Sequence, residues 1–213
     1  MSEVKENQQH KPNRRPSLRQ QHAIATRSAI LAAAQALFLE RGYVATTIEA
    51  IAKEAGAGVS TVYFVFGSKL AVLRAIRAQW HEQSQIKAVL EQARSVKSVE
   101  ARLVLLAHGT RRQWELSSSV ISIYKQAAAA DPQAAEELQG ALAGRRAALN
   151  GFVRDLAGLA RQDMDVKYMS TVVRALCSHE VFEEMVTVSG WTADEYEQWL
   201  ARALKTHLTP PRG

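Results

Sequence analysis

The sequence predicts an all-α protein, with a small N-terminal helical domain followed by a larger helical domain. Along most of the chain, apolar residues recur at three- and four-residue steps, as they do on one face of a helix. Glycines and good N-cap residues separate these stretches. The chain has no run of alternating β-branched residues bounded by turns, which disfavours strands.

The composition is ordinary for a folded protein: of the 213 residues, 47% are apolar and 23% are charged. No stretch approaches the roughly 20 apolar residues that a membrane-spanning helix needs, and the polar, basic N-terminus lacks the apolar core of a secretory signal. The single cysteine, Cys177, cannot form an internal disulfide, as is typical of a reducing compartment. We therefore expect a cytoplasmic protein.

The excess positive charge lies entirely near the N-terminus. Residues 1–80 contain 11 Lys and Arg against 5 Asp and Glu, whereas residues 81–213 contain 16 of each. This asymmetry indicates a polyanionic partner for the first part of the chain, the alternative being a solvated basic tail.

Residues 1–22 are polar, have no apolar period and are predicted to be a disordered arm. Its basic residues could reach a DNA minor groove or phosphates, or could simply be solvated. These residues are Lys11, Arg14, Arg15 and Arg19. The first helix is predicted from Ala23 to Gly42, on the period of its apolar residues.

Two short helices and a long one follow. The second is predicted from about Thr47 to Ala55, with either Thr46 or Thr47 as its N-cap. The third spans about Val59 to Phe64, and a fourth begins after the N-cap Ser68 and reaches Val89 or Leu90.

The rest of the chain keeps a helical pattern. Pro132 suits a first helical turn after Asp131, and Gly190 with the cap Thr192 separates the last two helices. The candidate helices are 98–116, 119–130, 132–160, 166–188 and 193–207.

The second and third helices, joined by a tight turn, form a helix-turn-helix arrangement. Ala52 is small enough for their crossing, and Gly56 suits a turn position with positive φ. We expect Ile51, Val62 and Phe66 to pack against Leu37, Phe38 and Tyr43. The side chains left facing outward on the third helix are Val59, Ser60, Thr61, Tyr63, Phe64 and Val65.

The segment from Thr46 to Lys69 resembles the N-terminal signature of the TetR family of transcriptional regulators. That signature reads T-T-x-x-x-I-A-x-x-A-G-V-S-x-x-T-[LV]-Y-x-x-F-x-[SN]-K, and this chain has TTIEAIAKEAGAGVSTVYFVFGSK. The resemblance extends without a gap over about residues 23–75. The stretch from Ser178 to Leu200 is also similar to one branch of the family.

The resemblance implies a role for each matching residue. It places Val59, Ser60, Thr61 and Phe64 in the DNA major groove. It assigns phosphate contacts to Thr47, Tyr63 and Lys69, which are suitable donors.

The chain departs from the family signature at two positions and from some relatives at a third. Ala57 and Gly58 replace the usual Val-Ser, and Gly58 is then a weaker N-cap. Glu49 stands where some relatives place an Arg that reads a base. The groove-facing set contains no Arg, Lys, Asn or Gln, so we expect readout through thymine methyl groups, hydroxyl groups and DNA shape.

The last two helices are candidates for a dimer interface, which the resemblance implies. Each has one apolar face at helical spacing, although such faces could equally be intrachain core. Two recognition helices must also reach successive major grooves, which requires a dimer. The predicted interface residues are Met169, Val173, Leu176, Tyr196, Trp199, Leu200, Ala203 and Leu204.

Relatives in this family hold an effector in the larger domain, and several aromatic and histidine residues could line such a pocket here. Each could also simply pack the core, as aromatic residues at helical spacing usually do. The candidates are His108, Trp114, Tyr124, Phe152 and His179. Catalytic and metal motifs such as H-E-x-x-H, G-x-S-x-G or a cysteine pair are absent from the sequence.

The sequence thus predicts a DNA-binding regulator that is not an enzyme and has no cofactor or metal. The predicted divisions are an arm (1–22), a helix-turn-helix domain (23–68), an effector-binding and dimerisation domain (69–208) and a tail (209–213). We expect a homodimeric repressor, released from double-stranded operator DNA by an apolar or amphipathic small molecule. The alternative is a regulator without a ligand, its pocket filled by its own side chains.

Overall fold

The computed structural model of the chain describes residues 17–84, 86–160 and 165–209. These residues form ten α-helices and a π-helical turn, without a strand, which confirms the predicted all-α class. The helices are α1 (Leu18–Arg41), α2 (Ile48–Glu54), α3 (Val59–Phe66), α4 (Lys69–Ser84), α5 (Ile86–Ser95), α6 (Val99–Ala130), α7 (Pro132–Ala160), α8 (Val166–Leu176), α9 (His179–Phe182) and α10 (Ala193–Leu208), with the π-helical turn at Glu183–Val188.

The first helix begins five residues before the predicted start. Ser17 and Gln20 form a capping box, in which the Gln20 backbone N–H donates to Ser17 Oγ at 3.3 Å and the Ser17 N–H donates to Gln20 Oε1 at 2.8 Å. The prediction of a disordered arm up to residue 22 is therefore wrong for residues 17–22, and Arg19 lies on an exposed part of α1. Lys11, Arg14 and Arg15 lie outside the described residues.

By length and composition, α1 could cross a membrane, with a mean hydropathy of 1.3 over 18 residues. Its apolar residues instead form one face of the N-terminal core, where Ile30, Ala34 and Phe38 are buried. Core helices of soluble proteins pass the same test, so α1 is not an indication of a membrane span.

The two threonines before α2 have different roles. Thr47 is the N-cap, and its Oγ1 accepts from the Ala50 N–H at 3.2 Å. Thr46 is buried and donates to the carbonyl oxygens of Gly42 and Leu37, at 2.8 and 3.2 Å. The first threonine therefore holds the α1–α2 loop, and the second begins the helix.

The predicted extension of the fourth helix to Val89 or Leu90 stays a prediction, because residue 85, between the described ends of α4 at Ser84 and α5 at Ile86, lies outside the described residues. Two other predicted helix boundaries are wrong. The predicted break at 117–118 does not occur, because buried apolar residues continue on both sides of it and α6 runs from Val99 to Ala130. The Ser118 hydroxyl bonds back to the Trp114 carbonyl at 2.5 Å. The predicted helix 166–188 is instead divided into α8, α9 and the π-helical turn.

Two buried clusters hold these helices together. The first joins α1, α2 and α3 to α4 and to the second half of α6, through residues such as Val120 and Tyr124. The second lies among α6, α7, α8 and α10 and includes Trp114, Leu156 and Tyr196. Helix α4 belongs to the first cluster and contacts α6, so it packs against both the N-terminal helices and the larger domain.

Candidate DNA-binding surface and ligand cavity

Helix α3 is held in place from one side only. Val62 is completely buried in the N-terminal core, in the same cluster as Ile51 and Ala52. Phe66 packs partly buried against that cluster, and the Arg27 guanidinium lies 4.6 Å from the centre of its ring. Burial of these anchors confirms the predicted packing of the helix-turn-helix.

The opposite side of α3 is open to solvent. Phe64 is 92% exposed and Tyr63 48% exposed, whereas their neighbour Val62 is fully buried. Val59 and Ser60 are also exposed, and Thr61 is half-buried. Five of the predicted DNA-contacting side chains therefore share one outward face of a short helix, which is the form that enters a major groove.

The turn before α3 contains two glycines, of which only Gly56 has a positive φ. Gly56 has a φ of +63°, a backbone conformation that side chains with a Cβ rarely adopt. Gly58 is the N-cap and supplies no side-chain hydrogen bond. The departure from the usual Val-Ser is therefore accommodated without a shift of register.

Two predicted phosphate-contacting residues lie at the edges of this face. Thr47 is exposed, and its hydroxyl keeps a donor free because the N-cap bond uses it as an acceptor. Lys69 is different: its ammonium donates to the carbonyl oxygens of Tyr43, Thr46 and Val44, at 2.8, 2.9 and 3.3 Å. An ammonium has three N–H donors, so these bonds occupy all of them. The phosphate contact of Lys69 stays a prediction.

The larger domain contains a cavity of about 450 Å³ between α4, α5, α6 and α7. Its wall is mostly apolar, and Trp114, Tyr124 and Phe152 lie on it, as predicted. A cavity of this volume falls in the range of small-molecule sites. It also disfavours the alternative in which the protein's own side chains fill the pocket.

The two histidines proposed for the pocket do not line it. His108 lies on the side of α6 that faces α10, where its Nδ1 is 3.1 Å from Glu197 Oε1. His179 is buried behind the wall, with its ring 5.2 Å from that of Trp114 in an edge-on arrangement. Both expectations are wrong, because His108 faces Glu197 on α10 and His179 packs against Trp114 without reaching the cavity.

An arginine that the sequence did not single out lies on the cavity wall. Arg145, on α7, donates through Nη2 to the Cys177 carbonyl oxygen at 2.7 Å and through Nη1 to Gln113 Oε1. Its guanidinium lies 4.4 Å from the centre of the Trp114 ring. The Cys177 carbonyl is free to accept because α8 ends at Leu176, and it accepts from Trp114 Nε1 as well, at 3.1 Å.

A polar network connects α4 to the wall of the cavity. Arg74 Nε lies 2.5 Å from Glu137 Oε1, and the Tyr124 hydroxyl donates to the other oxygen of Glu137 at 3.2 Å. Burial raises the pKa of Tyr124 to about 12, so the hydroxyl keeps its proton. One turn further along α4, the Arg77 guanidinium lies 5.4 Å from the centre of the Tyr124 ring and lines the cavity.

Five of the predicted dimer-interface residues belong instead to the chain's own core. They are buried by contacts within the second cluster, which leaves them no surface for a second copy. These residues are Met169, Val173, Tyr196, Leu200 and Leu204. Leu176, Trp199 and Ala203 remain half-exposed, and Tyr168 on α8 is half-exposed too. The sequence could not tell which apolar face of α8 and α10 turns inward.

An outward, core-anchored recognition helix and a separate ligand-sized cavity are the features of a helix-turn-helix regulator. Residues 30–76 match the model of "Bacterial regulatory proteins, tetR family". The chain therefore carries the N-terminal domain of the TetR family, which confirms the sequence resemblance. The matched family consists of regulatory proteins, which agrees with the prediction that the chain is not an enzyme.

Solved structures confirm the fold over both domains. The TetR-family regulator PfmR from Thermus thermophilus is 22% identical, with a TM-score of 0.64, covering 85% of this chain and 99% of that chain. FadR from Bacillus subtilis, in complex with stearoyl-CoA, is 16% identical, with the same TM-score and coverages. A regulator from Saccharomonospora viridis, in complex with choline, is 21% identical with a TM-score of 0.61, covering 85% and 96%. None of the curated proteins compared with the chain matches it.

Proposed function

We propose that the chain is a sequence-specific transcriptional repressor whose dimer releases its operator when a small molecule enters the cavity. The observation that carries the proposal is the orientation of α3, with Val62 fully buried and Phe64 92% exposed. A buried anchor next to an exposed reading face favours rigid insertion into a major groove.

On the DNA side, apolar and hydroxyl groups carry the readout. Val59, Thr61 and Phe64 would contact thymine methyl groups, and Ser60 would bond base edges. Sequence-dependent DNA shape would supply the rest of the preference. Tyr63 and Thr47 would bond phosphates and fix the register.

The protein would bind DNA as a homodimer. Two recognition helices must lie about 34–36 Å apart to enter successive major grooves. The half-exposed side chains of α8 and α10 support this, since Tyr168, Leu176 and Trp199 are large apolar groups left at the surface of one chain. We propose that the dimer interface includes these half-exposed side chains of α8 and α10. We also propose that the protein acts in the cytoplasm.

Helix α4 would carry the signal from ligand to DNA. It begins at Lys69, directly after the recognition helix, and its residues Arg77 and Trp80 lie on the cavity wall. A ligand that moves these two side chains would tilt α4 and change the separation of the two α3 helices. A near-complete switch requires a ligand that prefers one state by about 5.5 kcal/mol. Ligand complexes of two structural neighbours support such a site.

Selection of bound fragments from random double-stranded DNA tests the proposal. We expect the full chain to enrich an inverted repeat with half-sites about one helical turn apart. The variant Phe64→Ser should lose the enrichment, whereas Arg146→Met, at an exposed position on α7, should keep it. Enrichment of no sequence over the input pool would overturn the proposal.

A further inference from the structure

The charges on the cavity wall all have one sign. Among the described residues, the wall contains two arginines, Arg77 and Arg145, and no aspartate or glutamate. Neither guanidinium has a carboxylate within 4 Å among the residues that the structure describes. An apolar wall with two uncompensated cations has a positive potential, which low-polarity surroundings strengthen.

The Arg145 guanidinium is fixed in position and keeps N–H donors that an anion could use. Its bonds to Gln113 and the Cys177 carbonyl use two of the five N–H donors of a guanidinium, which leaves three. The Trp114 ring supports the plane of the group. Burial lowers the pKa of Arg145. A planar fork with free donors suits bidentate binding of a carboxylate.

A second polar group in the same wall lacks a partner. Ser117 is 1% exposed, lines the cavity, and its Oγ has no hydrogen-bond partner among the described residues. It lies one turn along α6 from Gln113 and Trp114, the two side chains that hold Arg145. Buried hydroxyl groups are normally bonded, so this one, at a cavity wall, is available to donate to a ligand that supplies an acceptor.

We infer that the ligand of this cavity is an apolar molecule with one carboxylate group, which Arg145 and Ser117 bind. The inference rests on the proposed ligand-responsive function and adds the chemical class of the ligand. A cationic ligand such as the choline of the Saccharomonospora neighbour would meet two guanidinium groups here. A neutral apolar ligand would leave Arg145 uncompensated and Ser117 without a partner.

Calorimetric titration of the full chain with matched probes tests the inference. The probes are decanoate, decanol and decylamine, together with 2-naphthoate and 2-naphthamide for a more compact shape. We expect one of the acids to bind about tenfold or more tightly than its neutral counterpart, and the amine to bind weakest. Neutral probes that bind as tightly as the acids, or acids that fail to bind at all, would overturn the inference.

Three variants test whether Arg145 causes the preference for acids over neutral probes. Arg145→Met should weaken acid binding by about 10- to 100-fold and leave binding of the neutral probes unchanged. Arg145→Lys keeps the charge and should retain part of the preference for acids, and it serves as the folded comparison if the methionine variant unfolds. Arg146→Met, an exposed neighbour on the same helix, should bind like the wild type. An undiminished preference for acids in both Arg145 variants would contradict the role.

Repeating the titrations with the selected operator present separates the two proposals. Acids that bind without releasing DNA would support the ligand class and refute the switch. Release of DNA by the neutral probes, bound as tightly as the acids, would support the switch and refute the ligand class.

Discussion

The ammonium of Lys69 lies 2.8 Å from the carbonyl oxygen of Tyr43 and 4.4 Å from the centre of the Tyr43 ring. Lys69 is the first residue of α4, and Tyr43 follows the end of α1, so this contact closes the N-terminal domain just behind the recognition helix. Burial lowers the pKa of Lys69 and raises that of Tyr43 to about 12. The Tyr43 hydroxyl therefore keeps its proton at neutral pH.

Lys69→Met should destabilise the fold. The change removes three charge-assisted hydrogen bonds and leaves the carbonyl oxygens of Tyr43 and Thr46 without this donor. We expect the free energy of unfolding to fall by about 2 kcal/mol, measured by urea denaturation. Lys53→Met, at an exposed position on α2, is the matched control and should change little. Equal stability of the two variants, with lower DNA affinity and a shallower salt dependence in Lys69→Met, would instead support the phosphate contact.

Tyr63→Phe should weaken binding to every DNA sequence by a similar factor. The change removes a hydroxyl group that is predicted to bond a phosphate, which carries no sequence information. We expect a loss of about 1 kcal/mol, with an unchanged salt slope because no charge is removed. Fluorescence anisotropy at several salt concentrations measures both quantities. A loss confined to the preferred operator would instead place the hydroxyl at a base.

Thr61→Ala should change the preference among operators and leave non-specific affinity intact. Thr61 lies on the α3 face with Phe64, and its hydroxyl and methyl groups are both suited to base edges. We expect a shift of about 1–3 kcal/mol between operators that differ at one base pair. Parallel selections with wild type and variant compare the preferences. Identical enriched sequences would show that Thr61 does not read a base.

The N-terminal domain could be predicted from sequence because its determinants are local. The threonines before α2, the positive φ of Gly56 and the buried position of Val62 follow from residue types at fixed spacing. The start of α1 was missed although its capping box, Ser17 to Gln20, is present in the sequence. A polar stretch without an apolar period predicts disorder, but here the capping box outweighs that composition.

The larger domain could be predicted only as a set of helices. Which face of α10 is buried depends on its packing partners α6 and α8. Tyr196 and Leu200 lie on the buried face, although the sequence predicts them in a dimer interface. Arg145 was missed because a charged residue in a helical pattern usually indicates a solvated face. Its position depends on the break of α8 at Cys177, which no residue type at fixed spacing predicts.

Lowering the pH should destabilise the protein through His179. This side chain is buried, and its pKa is lowered below 6.5 by burial first and then by Lys125, against the opposing effects of Glu183 and Glu180. Below pH 6.5 the unfolded chain therefore binds a proton that the folded chain does not, and stability is lost as the pH falls. The slope from one such group cannot exceed about 1.4 kcal/mol per pH unit.

Urea denaturation of wild type and His179→Leu between pH 7.5 and about pH 5 measures this slope. The variant should lose part of the pH dependence, whereas His207→Leu, at an exposed position on α10, should keep it. The same dependence in His179→Leu as in wild type would assign the proton uptake to another group.

Ser117→Ala should stabilise the protein when no ligand is added, and it should weaken the binding of acids. The Ser117 hydroxyl is buried in the middle of α6 without a partner among the described residues, so its removal relieves a desolvation cost, and alanine favours the helix. We expect the free energy of unfolding to rise by about 1–2 kcal/mol. Ser118→Ala is the matched control, since it gains the same helix propensity but loses a bond to the Trp114 carbonyl. If Ser117→Ala is no more stable than Ser118→Ala, the Ser117 hydroxyl already has a hydrogen-bond partner without a ligand, and its assignment to the ligand fails.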